Sequence, residues 1–250
     1  GQWTIRACVW RGSGLRLRAM ARKLRVQYEG AIYHVTLRGV ERRRLFKDDA
    51  DRERFTTRLG EAVEACGVRV YLFCLMTNHV HLVLETPGAN LSAFMHKLQT
   101  AYTVYFNLRH RRKGHLMQGR FGAQVVQGDE YLLNLTRYVH LNPVFVGNLT
   151  KEPLAERVRQ LRGYRWSSYL GYAGLGKSWA FVDEAPVLGT LGGLGKKGRD
   201  EYRRFVEEGL VRPDEEFLDV LKGAQWGIGD DEFQSAVRDR HTDMAMSVRR

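Results

Sequence analysis

From Ala31 to Arg38 the chain reads AIYHVTLR, alternating and rich in β-branched and aromatic residues, which predicts a strand. Asp48 then caps a helical run to Cys66: the first turn is acidic, Phe55, Leu59 and Val63 recur one turn apart, and Gly67 stops it. Arg69 to Met76 is almost continuously apolar, the pattern of a buried strand. After a Thr77–Asn78 turn, His79 to Glu85 (HVHLVLE) has the period of two of a second strand. Asn90 or Ser92 opens a helix to about Asn107, with Leu91, Phe94, Leu98, Ala101 and Tyr105 along one side. Phe121 to Val126 fits a fourth strand. Asp129 and Glu130 open a helix that ends at Asn142, because Pro143 lacks the N–H needed to continue it. The order strand, helix, strand, strand, helix, strand, helix predicts an α+β ferredoxin-like split βαβ sandwich. Its sheet has four antiparallel strands, with helices on one face.

Outside this unit the texture changes. Residues 1–19 read as an irregular basic leader, and Met20 as the start of the ordered chain. The main unit extends to residue 172. Residues 173–250 read as a Gly-containing linker and a helical extension, with amphipathic stretches at 199–208, 214–221 and 231–240.

Charge sharpens the picture. The 250 residues carry 40 Lys and Arg against 28 Asp and Glu, a formal charge of +12. All of it lies in residues 1–150, which hold 23 basic and 11 acidic residues; the remainder holds 17 of each. Between Glu85 and Asp129 there is no acidic residue, but Lys97, Arg109, Arg111, Arg112, Lys113 and Arg120 stand beside Tyr102, Tyr105, Phe106 and Phe121. Cations interleaved with aromatic rings suit a surface that tracks phosphates and stacks on bases. With 44% apolar residues the chain can build a core, which argues against disorder. No apolar run reaches the length of a membrane span, and three cysteines without CxxC spacing argue against a disulfide framework and a cysteine zinc site. The expectation is a soluble intracellular protein that binds nucleic acid.

Two constellations could add chemistry. His79 and His81 are two apart on a strand, so both imidazoles face one side and can converge on one ion. The same spacing is found when two polar residues merely face solvent. Tyr138 and Asn142 are four apart on a helix and share a face, presenting a phenol beside an amide oxygen. A tyrosine at a core edge followed by the last residue before a proline stop would look identical.

The order of several motifs is more specific. LMTNHVHLVLE (Leu75 to Glu85), then YVHLNPV (Tyr138 to Val144) and YRWSSYLGY (Tyr164 to Tyr172), resembles the REP-associated tyrosine transposases. These are relatives of the single-tyrosine transposases of the smallest bacterial insertion sequences, within the HUH endonuclease group. MARKLRVQYEGAIYHVTLRGV from Met20 and GHLMQGRF from Gly114 are similar to that family as well. The resemblance covers Met20 to Tyr172 and implies the same ferredoxin-like fold. It implies that His79 and His81 are metal ligands for Mg²⁺ or Mn²⁺, that Tyr138 is the nucleophile, and that Asn142 stands where many relatives have a Gln ligand. It further implies a metal-dependent single-stranded DNA endonuclease and strand transferase, acting through a 5′-phosphotyrosine. Its partner would be single-stranded or hairpin DNA, such as repetitive extragenic palindromes, met by a monomer or homodimer in the bacterial cytoplasm, associated with the nucleoid. The alternative is a non-catalytic regulatory protein that binds DNA hairpins on the same fold.

One motif points elsewhere. GYAGLGKS (Gly171 to Ser178) satisfies the P-loop pattern, which needs a buried strand before it and a helix N-terminus after it. WSSYL precedes it and WAFVDEAP follows, so the pattern lacks its scaffold.

Overall fold

The computed structural model describes residues 24–128, 130–145 and 151–247. The basic leader, Met20 and Asp129 lie outside the described residues. Strand β1 (Ala31–Arg38) occupies the middle of the sheet, with β3 (His79–Thr86) on one side and β4 (Gly122–Val126) on the other, both antiparallel to it. β2 (Arg69–Leu75) flanks β3, also antiparallel. The order β2-β3-β1-β4 is that of the expected split βαβ sheet. A fifth strand corrects the predicted count: β5 (Gly227–Ile228) pairs parallel to β4 at the edge. Two residues carry no measurable period, so the sequence pattern gave no signal for it.

Helices α1 (Asp49–Cys66) and α2 (Leu91–Arg109) cover one face. Asp48 caps α1 by accepting from the Asp51 N–H, and Gly67 ends it at φ 61°, a left-handed conformation suited to glycine. Between helices and sheet lies a core of Tyr33, Val35, Leu37, Val80, Leu82, Leu84, Phe55, Phe94 and Tyr102. These strand residues have the parity opposite to His79 and His81.

The other face is covered too, where the sequence pattern placed helices on one side only. Helix α3 (Glu130–Leu141) docks Leu132, Leu135 and Val139 against Leu72, Val83 and Val126. It ends at Leu141, and Asn142–Val144 continue as a 3₁₀ turn around Pro143. Helices α4 (Leu154–Gly163), α5 (Tyr169–Tyr172), α6 (Ala185–Leu188), α7 (Lys196–Glu208), α8 (Glu215–Gly223) and α9 (Asp231–Ser247) follow, and α5 to α8 supply buried residues to this second core. The residues beyond 172 therefore pack on the sheet. At its centre the His140 ring joins the Tyr202 hydroxyl at 2.6 Å and the Ser168 hydroxyl at 2.8 Å. No described helix is long and apolar enough to cross a membrane.

The P-loop pattern forms no phosphate cradle. Gly171 lies in the one-turn α5 rather than after a strand, Ser178 donates to Glu184, and no helix starts there.

Candidate nucleic-acid interface and active site

Strand register assembles the site. β1 and β3 pair Arg38 with His79, Thr36 with His81 and His34 with Val83, so these side chains share the face that α3 covers. The rings of His79 and His81 have centroids 5.0 Å apart. Tyr138, projecting from α3, sets its ring edge-on 6.1 Å from His81 and 6.3 Å from His34. A cavity of about 270 Å³ lies between them, walled by His34, Arg38, His79, His81, Tyr138 and, from α8, Leu221. The two halves of the constellation, 57 residues apart in sequence, thus face one space.

Hydrogen bonds fix the ring nitrogens. Asn78 donates its Nδ2 to the Arg42 carbonyl at 3.2 Å, which turns its Oδ1 toward His79 Nδ1 at 2.8 Å. A carbonyl oxygen only accepts, so His79 carries its proton on Nδ1 and leaves Nε2 with a lone pair. His81 Nδ1 meets His34 Nε2 at 2.9 Å, with the rings stacked 8° from parallel. One proton serves that contact; when His81 donates it, His81 Nε2 is bare as well. Burial lowers the pKa of His34 to about 4 and puts His81 well below the usual imidazole range. It lowers His79 too, with Arg38 adding to the effect. Neutral imidazoles are the form that binds a metal.

Asn142 is the one chemical candidate not on the cavity wall. Its Nδ2 donates to the Tyr138 carbonyl at 2.8 Å, one turn back, which leaves its Oδ1 as an acceptor. Among the described residues no group of three His, Cys, Asp or Glu side chains is placed to hold an ion. His34, the third imidazole, commits Nε2 to His81. Two imidazole nitrogens fit a divalent ion as a partial ligand set, which an amide or phosphate oxygen would complete.

The basic candidates are dispersed. Arg109 pairs with Asp48 at 2.7 Å and with the buried Asp51, tying α2 to α1. Arg112 lines a cleft with Arg43, Arg44 and Lys47. Arg120 lines a cavity with Arg25, Phe121 and Trp226, where Arg25 lies 3.6 Å over the Phe121 ring. Lys97, Arg111 and Lys113 are exposed. Sequence reasoning passed over His34, Arg38, Arg43, Arg44 and Lys47. For His34 and Arg38 a signal existed: with Thr36 they are the polar positions at period two in β1.

Residues 27–142, which contain every one of these cavity residues except Leu221, match the family model described as transposase, IS200-like. The matched segment stops at the candidate Asn142, so α4 to α9 and β5 lie beyond it. Among solved structures, the chain is similar to the REP-associated tyrosine transposase bound to a REP hairpin. Identity is 16% and the TM-score 0.51, over 66% of this chain and 94% of that one. At that identity the likeness establishes the fold. A Deinococcus radiodurans R1 protein named as a transposase matches at 17% identity over 48% of this chain and 95% of its own, with a TM-score of 0.34. No curated protein sequence matches.

Proposed function

We propose that the protein is a metal-dependent single-stranded DNA endonuclease and strand transferase of the HUH single-tyrosine type, acting at DNA hairpins. The observation that carries the reading is the meeting of Tyr138 with His79 and His81 across one cavity. His79 and His81 would hold Mg²⁺ or Mn²⁺ through Nε2, with Asn142 Oδ1 as the candidate third ligand. Bound there, the ion would polarise the scissile phosphate and offset charge in the pentacoordinate transition state.

The chain's own residues do the remainder. The Tyr138 oxygen attacks phosphorus, forming a P–O bond as the bond to the 3′-oxygen breaks. The phenol gives up its proton and the departing 3′-oxygen gains one, leaving a 5′-phosphotyrosine and a free 3′-OH. Phenols titrate at about 10, so the attack depends on a strong electrophile or a proton acceptor. Strand transfer is the reverse attack by a 3′-OH. Arg38 lines the same cavity and brings positive charge toward the phosphate. Lys97, Arg111, Arg112, Lys113 and Arg120 are the candidate backbone contacts, while Arg109 has its charge matched by two carboxylates.

The test is incubation of labelled hairpin-plus-tail DNA with Mn²⁺. A covalent protein–DNA band is expected from the wild type, and none from Tyr138→Phe or in EDTA. A band that survives Tyr138→Phe sinks the assignment. Hairpin binding that persists in EDTA, with no adduct under any metal, would instead favour a DNA-binding regulator on this fold.

A further inference from the structure

We propose that a second, basic cleft beside the histidine cavity holds the backbone phosphates of the DNA substrate a few nucleotides from the scissile position. The proposal rests on the reading of Tyr138 as the reacting group. The cleft, of about 410 Å³, lies between the Val40–Lys47 segment and the start of the loop after α2. Arg43, Arg44, Lys47 and Arg112 line it over a floor that includes Phe106 and Leu116, and no carboxylate lines it.

The cleft is built rather than incidental. Glu41 and Arg42 have φ of 53° and 58° on one side, and Arg111 has φ of 50° on the other. Non-glycine residues in the left-handed region are uncommon and need a surrounding structure that enforces them. Here the enforcement is visible. Gly39 N–H donates to the Asn78 carbonyl at 2.9 Å, Val40 N–H to Leu116 at 3.0 Å and Leu45 N–H to Thr77 at 2.9 Å. Leu45 and Phe46 are buried as anchors. A Cβ at Gly39 would sit 2.0 Å from the Arg43 carbonyl oxygen, so only glycine lets the arch close. The cations thus stand on a pinned arch. Arg43 has a partner in Glu41 at 2.6 Å, but both side chains are two-thirds exposed, and such a pair yields readily to a phosphate.

Its position favours a polyanion that continues past the cleft. Arg38, two residues before Val40, lines the histidine cavity, so positive charge runs from the arch to the site. Asn78 joins the two directly: it binds the Arg42 carbonyl with Nδ2 and His79 Nδ1 with Oδ1. Four cations without a lining carboxylate match successive phosphodiesters better than a single small anion.

The experiment measures affinity by fluorescence anisotropy across a salt series, on a hairpin with its tail and on the tail alone. For Arg44→Ala with Lys47→Ala, the slope of log affinity against log salt is expected to shrink by about 1.4 on a single strand or about 1.8 on a duplex. A change on both substrates assigns the cleft to the tail, and a change on the hairpin alone assigns it to the stem. Arg112→Ala, on the opposite wall, should shrink the slope by about half as much, which guards against misfolding of the arch. The control, Lys196→Ala with Arg204→Ala, removes two exposed cations of α7 that line neither cavity and should leave the slope unchanged. Unchanged slopes in both cleft variants, an equal loss in the control, or competition by millimolar inorganic phosphate at constant ionic strength overturns the proposal. Covalent adduct formation by the wild type is scored in parallel. Its absence retracts the Tyr138 reading, whereas the slopes alone decide the cleft.

Discussion

His34 determines which nitrogen of His81 faces the cavity. Its Nε2 can accept the His81 Nδ1 proton, which leaves His81 Nε2 free to bind; its own Nδ1 is buried without a partner in hydrogen-bond geometry, and the nearby Gln124 gives its amide N–H to the Ala224 carbonyl. Asn78 does the same for His79 with a single acceptor oxygen. Partners of this kind typically contribute 10- to 100-fold to metal affinity. Mn²⁺ titration followed by electron paramagnetic resonance should therefore show a dissociation constant raised about 10-fold or more in His34→Ala and in Asn78→Ala. Values equal to wild type would show that neither side chain orients its neighbour. The alternation of β1 contains the signal that His34 shares a polar face with Thr36 and Arg38, but periodicity identifies a face and not the strand beside it. The contact spans 47 positions and exists only because β1 lies next to β3.

At the scale of elements, the clasp between α1 and α2 explains why charge in sequence misled about Arg109. Residues 86–128 hold no carboxylate, and that absence suggested an unopposed phosphate-tracking run. Asp48 and Asp51, on the first turn of α1, reach Arg109 across about sixty positions. Asp51 is fully buried and also accepts from the Lys47 N–H at 2.8 Å and contacts His110 Nε2. The Arg109 hydrogen bonds bring the Asp48 pKa down to about 2. Removing the buried partner of a charge network typically costs several kcal/mol. Asp51→Ala should thus destabilise the protein by about 3 kcal/mol, a fall of roughly 6–12 °C in Tm for a chain of this size. Thermal melts check it; a change under about 1 kcal/mol would mean that water replaces the carboxylate. α1, by contrast, was legible to its end residues, because Asp48 and Gly67 are local cap signals that need no partner.

For the whole molecule, the transposase match ends at Asn142, but the sheet does not finish there. The second face of the sheet, which carries the histidines, is covered by α3, and the core on that side also takes in Val187, Leu188, Tyr202, Val206, Phe217 and Ile228 from α6 to α8 and β5, all at most 5% exposed. Helices α7 and α8 were readable from their own amphipathic patterns, but not the surface they cover, while the single turn of α6 was not read. A helical stripe states that it needs a partner without naming one. Removing residues 173–247 would take those six side chains out of the second core, leave the His140 ring without its Tyr202 partner, and strip Leu221 from the cavity wall. Losing the burial of these six side chains at roughly 1.5–3 kcal/mol each amounts to about 9–18 kcal/mol. That matches the entire net stability of a typical domain, about 5–15 kcal/mol. A chain ending at Tyr172 should accordingly lose its near-ultraviolet circular dichroism, bind anilinonaphthalene sulfonate and melt without cooperativity, although its first core loses only Val237 among its buried members. If that fragment instead melts cooperatively and forms a DNA adduct, α1 to α5 suffice to hold the sheet. The C-terminal layer would then act on the site from outside, through Leu221 and the strand pairing of β5 with β4.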